Sequence, residues 1–444
     1  MPRKGKNRQD QGILGEANIE SLSHDGRGIA RVDGKIVFIE GALPSERVRF
    51  RYKKRRAGFD DAQTVEVLSP SPERAEPLCP HFGVCGGCSL QHMAPGMQIR
   101  IKEQALLEHM RHFGKIEPDK VLPPLTGPLW SYRRSARIGV KYVEKKAKVL
   151  VGFREKQSGF IADIDSCAVL DSRAGGLISG LKTLMSGLKA FRTIPQIEVS
   201  AGDETAALIF RNLQRLSDED LEALKAFGDM HGIHIYLQPG GPETIASLWP
   251  DTQEGLSYRL PEFDMEISFR PGDFIQINGA LNRTMVSEAV KSLALTPGDT
   301  VLDLFCGLGN FSLPIARIAA SVTGVEGSAA MALRAGTNAG LNGIKNAAFY
   351  ATDLASDFSN APWADKRPDK VLLDPPRSGA NDAVRHLAGI RPGRIVYVSC
   401  NPATLARDTG VLVHTGGYRL KSIRVMDMFP HTSHVEAMAV LEMS

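Results

Sequence analysis

Long apolar runs are missing from this 444-residue chain. No stretch approaches the roughly 20 apolar residues that a membrane-spanning helix needs, so no membrane partner is expected. The first eleven residues are basic and lack the apolar segment of a secretory leader, which makes the cytoplasm the expected location. Internal repeats and low-complexity tracts are also absent, which excludes solenoid and fibrous architectures. Overall charge is nearly balanced: 54 Lys and Arg against 50 Asp and Glu leave a net +4, so any polyanion must be met by a local patch. Cysteines number only six, and three of them, Cys79, Cys85 and Cys88, fall in one short stretch. A reducing cytoplasm disfavours disulfides there and favours metal or cluster binding.

What is present exceeds one ordinary core, since a chain of this length accommodates two or three domains. Residues 13–68 alternate like short strands broken by Gly26, Gly28, Gly34 and Gly41. Within them, Arg47, Arg49 and Arg51 share one strand face while Val48, Phe50 and Tyr52 share the other. Lys53, Lys54, Arg55 and Arg56 extend the basic run. A five-stranded nucleic-acid-binding barrel fits this pattern, with a plain solvated strand face as the alternative. Pro70, Pro72, Pro77 and Pro80 mark a linker into the cysteine cluster. An amphipathic helix is expected over 97–112, followed by strands with intervening helices from Trp130 to about Tyr258.

From Thr300 the alternation is regular, with strands expected at 301–305, 321–326, 348–352, 370–373, 394–398, 419–428 and 436–441. Helical patterns between them imply a doubly wound, mainly parallel α/β sheet. The last two strands have little between them and are expected to pair antiparallel at the edge. That ending suits a methyltransferase sheet better than a dinucleotide dehydrogenase.

Chemistry concentrates at the expected strand ends. Asp303-Leu304-Phe305-Cys306-Gly307-Leu308-Gly309-Asn310-Phe311 reads as a strand entering a glycine turn, where backbone can approach an adenosine-type cofactor. Glu326, about 20 residues on, is placed to bind ribose hydroxyls, Asp353 to reach an adenine amino group, and Asp374 opens Asp-Pro-Pro-Arg at the fourth strand. Helix caps and turn formers are the plainer reading of these acids. S-adenosylmethionine is favoured over NAD because the glycine spacing lacks the full dinucleotide fingerprint.

Cys400 closes the next strand in Ser399-Cys400-Asn401-Pro402. A thiol is needed for one kind of methyl acceptor, since C5 of a pyrimidine is a poor nucleophile until a thiolate adds at C6. A base must then remove the C5 proton, and Glu436, at the start of the final strand, is the candidate. Cys306 is read as structural, and His431/His434 as a polar loop rather than a metal site. Cys79, Cys85, Cys88 and Cys167 make a four-thiolate set that suits Zn²⁺ and an iron–sulfur cluster equally.

Taken together, these motifs resemble the RlmD family of bacterial 23S rRNA uracil-C5 methyltransferases, from about Gln11 to the end of the chain. The resemblance implies an N-terminal TRAM barrel, a central α+β iron–sulfur domain and a class I (Rossmann-like) methyltransferase domain. The corresponding ranges are 1–70; 71–92 with 127–262; and 93–126 with 263–444. It assigns a [4Fe-4S] cluster to Cys79, Cys85, Cys88 and Cys167. It also assigns S-adenosylmethionine contacts to Gln276, Phe305, Asn310, Glu326, Asp353 and Asp374, the nucleophile to Cys400 and the base to Glu436. RNA contacts fall on Arg47, Arg49, Arg51, Lys53, Lys54, Arg133 and Arg134, with an unpaired 23S rRNA uridine as substrate and a monomer as the working form. Transfer RNA uracil methyltransferases share the C-terminal motifs and generally lack the barrel and the cysteine set. Amino-group methylation is a competing activity, but an aromatic residue usually follows Asp-Pro-Pro there, whereas this chain has Arg377. A non-catalytic RNA-binding factor is the third reading.

Overall fold

The computed structural model describes residues 12–251, 255–356, 358, 361–364 and 367–444; the basic stretch at 1–11 lies outside them. The chain divides into two compact units. The first holds Met1–Gly83, Cys88–Ala105 and Pro430–Ser433, and the second Val84–Gly87, Leu106–Phe429 and His434–Ser444.

In the first unit, six strands form one sheet, one more than expected. Their order is Leu14–Asn18, Arg47–Arg55, Phe59–Ser69, Lys35–Glu40, Gly28–Val32 and Ser21–Leu22. The two-residue strand Ser21–Leu22 is too short to leave a periodic signal. Val48, Phe50 and Tyr52 are buried with Val37 and Ile39, while Arg47 and Arg51 are exposed, as the alternation requires. Just before this basic strand, the carboxylate of Glu46 is completely buried. It accepts the backbone N–H groups of Leu43 at 2.8 Å and Ser71 at 3.2 Å, and the Arg74 guanidinium at 2.7 Å. Arg74 also donates to the Gly41 carbonyl at 2.7 Å, so one ion pair fastens the start of the proline linker to the sheet.

The second unit carries two larger sheets. One is ordered Ala246–Trp249, His234–Leu237, Ala206–Arg211, Gln196–Ala201, Ser135–Val143, Lys148–Gly152. The other is the expected doubly wound sheet, with eight strands: Ala347–Ala351, Ser321–Glu326, Thr300–Leu304, Lys370–Leu373, Arg394–Ser399, Glu436–Met443, Tyr418–Met426 and Lys120–Val121. The first five run parallel, and Glu436–Met443 is antiparallel to both its neighbours. Lys120–Val121 lies outside the expected edge pair, parallel to Tyr418–Met426. It was not legible because two residues carry no period.

Successive side chains on these strands enter opposite cores. Val301, Leu372, Val396 and Val398 join the core of helix Gly279–Leu293, while Leu302, Val371, Ile395 and Tyr397 join that of helices Asn381–Ile390 and Pro402–His414. Burial on both faces explains why the strands read as continuous apolar runs. A separate hairpin, Leu256–Leu260 with Met265–Phe269, precedes helix Gly279–Leu293. Its outer edge is satisfied by amides from helix Ala329–Leu341 and its C-cap, Asn342. Asn342 pairs with the N–H and C=O of Glu266 at 2.9 and 2.8 Å, and Asn338 with those of Ser268 at 3.0 and 3.1 Å. Spaced four apart on the helix, the two amides substitute for a neighbouring strand. No helix among the described residues is long and apolar enough to cross a membrane.

Burial favours the neutral form of Glu46, but the Arg74 guanidinium and the Leu43 and Ser71 N–H groups outweigh it and hold its pKa below the ordinary value. Glu46→Gln should therefore lower the stability of the full-length protein in urea by about 2 kcal/mol at pH 7. A depressed carboxyl contributes stability above its unfolded-state pKa and loses it as pH falls through the folded value. The difference between the two proteins should accordingly narrow below about pH 4.

Candidate active site and cofactor crevice

In the doubly wound sheet the chain first moves outward from Thr300–Leu304 to Ser321–Glu326 and Ala347–Ala351. It then returns to the other side at Lys370–Leu373. The crevice outside the carboxyl ends at such a reversal is where open α/β sheets hold ligands. Phe305, Glu326, Asp374 and Cys400 each follow or close one of these strands.

After Leu304 the backbone turns sharply through left-handed residues at Phe305 (φ 66°), Gly307 (φ 56°) and Gly309 (φ 90°). A Cβ built on Gly307 meets only the Met331 methyl, at 3.6 Å, so this side of the turn leaves room for a ligand against the backbone. Glu326 holds the turn open. One carboxylate oxygen accepts the Gly307 N–H at 3.0 Å and the other the Ser328 N–H at 2.9 Å. Asn310 forms a reciprocal amide pair with Asn282, at 2.9 and 3.0 Å, and also accepts the Tyr258 hydroxyl at 2.9 Å. Asp353 is exposed just past its strand and accepts the Ala355 N–H at 2.9 Å. Gln276 donates to Asp374 at 3.0 Å, which joins the segment after the hairpin to the fourth strand. This open turn, the Glu326 carboxylate beside it and the Gln276–Asp374 pair fit an adenosine-bearing methyl donor.

Cys400 and Glu436 are brought level by strand register. Ser399 pairs with Ala437 in antiparallel strands, so one residue further sets the thiol opposite the carboxyl group. Asn401 caps the helix that follows, accepting the Ala403 N–H at 3.1 Å, with Pro402 at the first helical position. Burial pushes the Cys400 thiol up to about 11, helped by the nearby Glu436 and Asp374 charges and opposed by Arg377. Burial and Asp374 also raise Glu436 well above the carboxylate range, again against Arg377. Asp374 is raised to about 7 by burial, with its Gln276 hydrogen bond opposing. The site thus combines a thiol with carboxyl groups that cannot all ionise together, and Arg377 is the cation that favours their charged forms. Arg377 itself meets His434 Nδ1 at 3.0 Å.

Several residues outside the expected set belong here. Asp303 heads the glycine motif and is completely buried; it accepts the Ser312 hydroxyl through one oxygen and has no partner at the other. Its place in the quoted motif was a usable signal. Asn282 and Tyr258 gave none, because they approach Asn310 only through folding. Cys306 is buried and its sulfur packs against Gly324, where an added Cβ would lie 3.0 Å away.

The other expected residues lie elsewhere. Arg134 is ion-paired with Asp203, which also takes Arg283 at 2.7 Å, and Arg133 donates to the Ser135 carbonyl at 3.0 Å. Arg47 and Arg49 share Glu16 at 2.9 Å each, and Lys53 meets Glu40 at 2.9 Å. Arg51 and Lys54 have no ion-pair partner among the described residues. Cys79, Cys85, Cys88 and Cys167 are all half-buried thiols. Cys85 and Cys167 pack against the same apolar core of the second unit. Among the described residues, no group of three or more His, Cys, Asp or Glu side chains is gathered to hold a metal ion.

The solved structure of a Pyrococcus abyssi tRNA (uracil-54, C5)-methyltransferase in complex with S-adenosyl-L-homocysteine has a similar fold. The TM-score is 0.72 at 24% identity, over 96% of this chain and 100% of that one. A family model for the TRAM domain matches residues 14–56, and one described as tRNA (Uracil-5-)-methyltransferase matches 251–444. Fold and crevice therefore define a class I S-adenosylmethionine-dependent methyltransferase with an N-terminal TRAM domain. Two 23S rRNA (uracil(1939)-C(5))-methyltransferases RlmD are close relatives. That of Alkalilimnicola ehrlichii is 53% identical over 96% of each chain, and that of Hahella chejuensis 51% identical over 100% of each. The chain belongs to the RlmD family of 23S rRNA uracil-C5 methyltransferases.

Asp303 supplies a pH test of this electrostatic description. Burial, with Asp374 and Glu326 as neighbouring charges, lifts it to about 7 against the Ser312 hydrogen bond. A carboxyl group raised in the folded state stabilises at low pH and ceases to do so as pH rises through the folded value. Between pH 5 and pH 8 the wild-type protein, without cofactor, should lose stability relative to Asp303→Asn. The expected change in a urea denaturation series is on the order of a few kcal/mol.

Proposed function

We propose that the protein transfers a methyl group to C5 of one unpaired 23S rRNA uridine, position 1939 in its relatives' names, through a covalent bond between Cys400 and C6. The register that sets Cys400 opposite Glu436 carries this reading. S-adenosylmethionine supplies the methyl group and a positive sulfonium when bound, with Gln276, Phe305, Asn310, Glu326, Asp353 and Asp374 as its contacts. The target base must leave its stack to reach the crevice.

Cys400 gives its proton to solvent as its sulfur bonds to C6, with Arg377 favouring the thiolate. Electrons move through C5 to O4, and the resulting enolate makes C5 nucleophilic. After C5 has gained its methyl group, Glu436 in its ionised form removes the C5 proton. The enolate re-forms and expels the thiolate, which restores the C5–C6 double bond. RNA phosphates are assigned to the exposed side of the basic strand (Arg47, Arg49, Arg51, Lys53, Lys54) and to Arg133 and Arg134. The protein is read as a cytoplasmic monomer, with the central segments 71–92 and 127–262 as a domain of their own.

We further infer that Cys79, Cys85, Cys88 and Cys167 hold a [4Fe-4S] cluster. Four soft thiol donors and the family resemblance support this, and no step of methyl transfer runs through the cluster. Anaerobically purified protein should be brown and contain close to four irons per chain, and Cys167→Ser should lose them. Zinc in place of iron would reject the assignment.

Cys400→Ala should abolish turnover and leave S-adenosylmethionine binding nearly intact. Glu436→Gln should instead accumulate a covalent protein–RNA complex on a denaturing gel, carrying label from the methyl group. That complex should vanish when Cys400 is also replaced. Near wild-type turnover by Glu436→Gln, with no complex, would assign the proton to another group.

A further inference from the structure

The loop that carries Asp374 and Arg377 is held from behind by the helix that follows Cys400. Helix Pro402–His414 and its cap reach this loop at successive backbone groups. Asn401 Nδ2 donates to the Arg377 carbonyl at 2.9 Å, and Arg407 Nη2 to the Ser378 carbonyl at 3.0 Å. Asp408 Oδ2 accepts the Ala380 N–H at 2.7 Å. Asp408 is completely buried, and its Oδ2 also takes the hydroxyl of Tyr397, at 2.6 Å, from the strand that ends at Cys400. Its Oδ1 takes Arg407 Nε at 2.8 Å.

We propose that Asp408 is a positioning residue for methyl transfer: it locks the Asp374–Ala380 loop to the Cys400 strand and helix, so that Arg377 stays within electrostatic reach of the thiol. This inference rests on Cys400 being the nucleophile. None of the reacting groups touches Asp408, yet the nucleophile's strand, its helix and the loop opposite all meet on that one carboxylate. Gly379 provides the complementary surface. It adopts φ 78°, and a Cβ there would lie 2.5 Å from Arg407 Nη2 and 2.6 Å from Asp408 Oδ2, so the loop sits flush against the clamp. The groups that bear on Cys400 are Glu436 from the final strand and Asp374 and Arg377 from the loop. A displaced loop removes the attraction of Arg377, while Glu436, on its own strand, stays.

The test uses the full chain with an RNA oligonucleotide carrying 5-fluorouridine at the target position. The C5–F bond cannot be broken by proton removal, so Cys400 stays bonded and single-turnover adduct formation can be timed against pH. Asp408→Ala and Gly379→Ala should each slow adduct formation by about 10- to 100-fold, the scale of an ångström-level misplacement. Both should shift the rise of rate with pH to higher pH. S-adenosylmethionine affinity should fall much less than the rate, because Asp374 is the one proposed contact on the clamped loop and the other five lie outside it. Asp408→Asn keeps one oxygen for Ala380 and Tyr397 and should restore most of the rate. A merely structural role would lower stability without moving the pH dependence. Should Asp408→Ala not fold, Gly379→Ala carries the test with Asp408 and Tyr397 intact. Wild-type rate and pH dependence in Gly379→Ala, or an unshifted pH dependence in both variants, would overturn the proposal. Adduct formation by Cys400→Ala would overturn the nucleophile assignment instead.

Discussion

A parallel sheet buried on both faces leaves polar chemistry one place to collect, the carboxyl ends of its strands. The inner strands here are covered by separate cores on each side, to which neighbouring residues such as Val301 and Leu302 contribute alternately. Side chains within the strands are therefore committed to packing. Asp374, Cys400 and Glu326 escape that commitment because each stands where a strand gives way to a turn. Glu436 reaches the same level only because its strand runs the other way, which brings its first residue to the crevice.

Gathering acids in a desolvated crevice has an electrostatic consequence. Asp303 and Asp374 are both raised to about 7, and the Cys400 thiol to about 11, each chiefly by burial. The resting crevice thus favours neutral groups and is poised for positive charge. Arg377 supplies part of that charge from the protein, and a bound sulfonium would supply more. A site of this kind binds its cationic methyl donor and becomes reactive for the same reason.

Precision around the crevice comes from amides and carboxylates rather than from the crevice residues themselves. Asn338 and Asn342 complete the open edge of a hairpin, and Asn338 also donates to the Leu308 carbonyl in the glycine turn at 3.1 Å. Asn282 and Tyr258 fix the Asn310 amide, and Asp408 gathers three elements behind Cys400. Buried polar groups of this type are costly when left unpartnered, which gives them directional control over the backbone they bind.

The amino-acid sequence by itself determined the strand-and-helix alternation from Thr300 onward, the two-faced basic strand at Arg47–Arg55 and the motifs that end the inner strands. Each rests on a local period or turn chemistry that survives without tertiary context. Ser21–Leu22 and Lys120–Val121 were hidden because two residues carry no period. The union of Gln276 with Asp374, the alignment of Cys400 with Glu436 and the clamp at Asp408 were decided only by tertiary structure. Partners in these pairs lie tens of residues apart, and register, burial and chain reversal set which of the many acids and amides would meet.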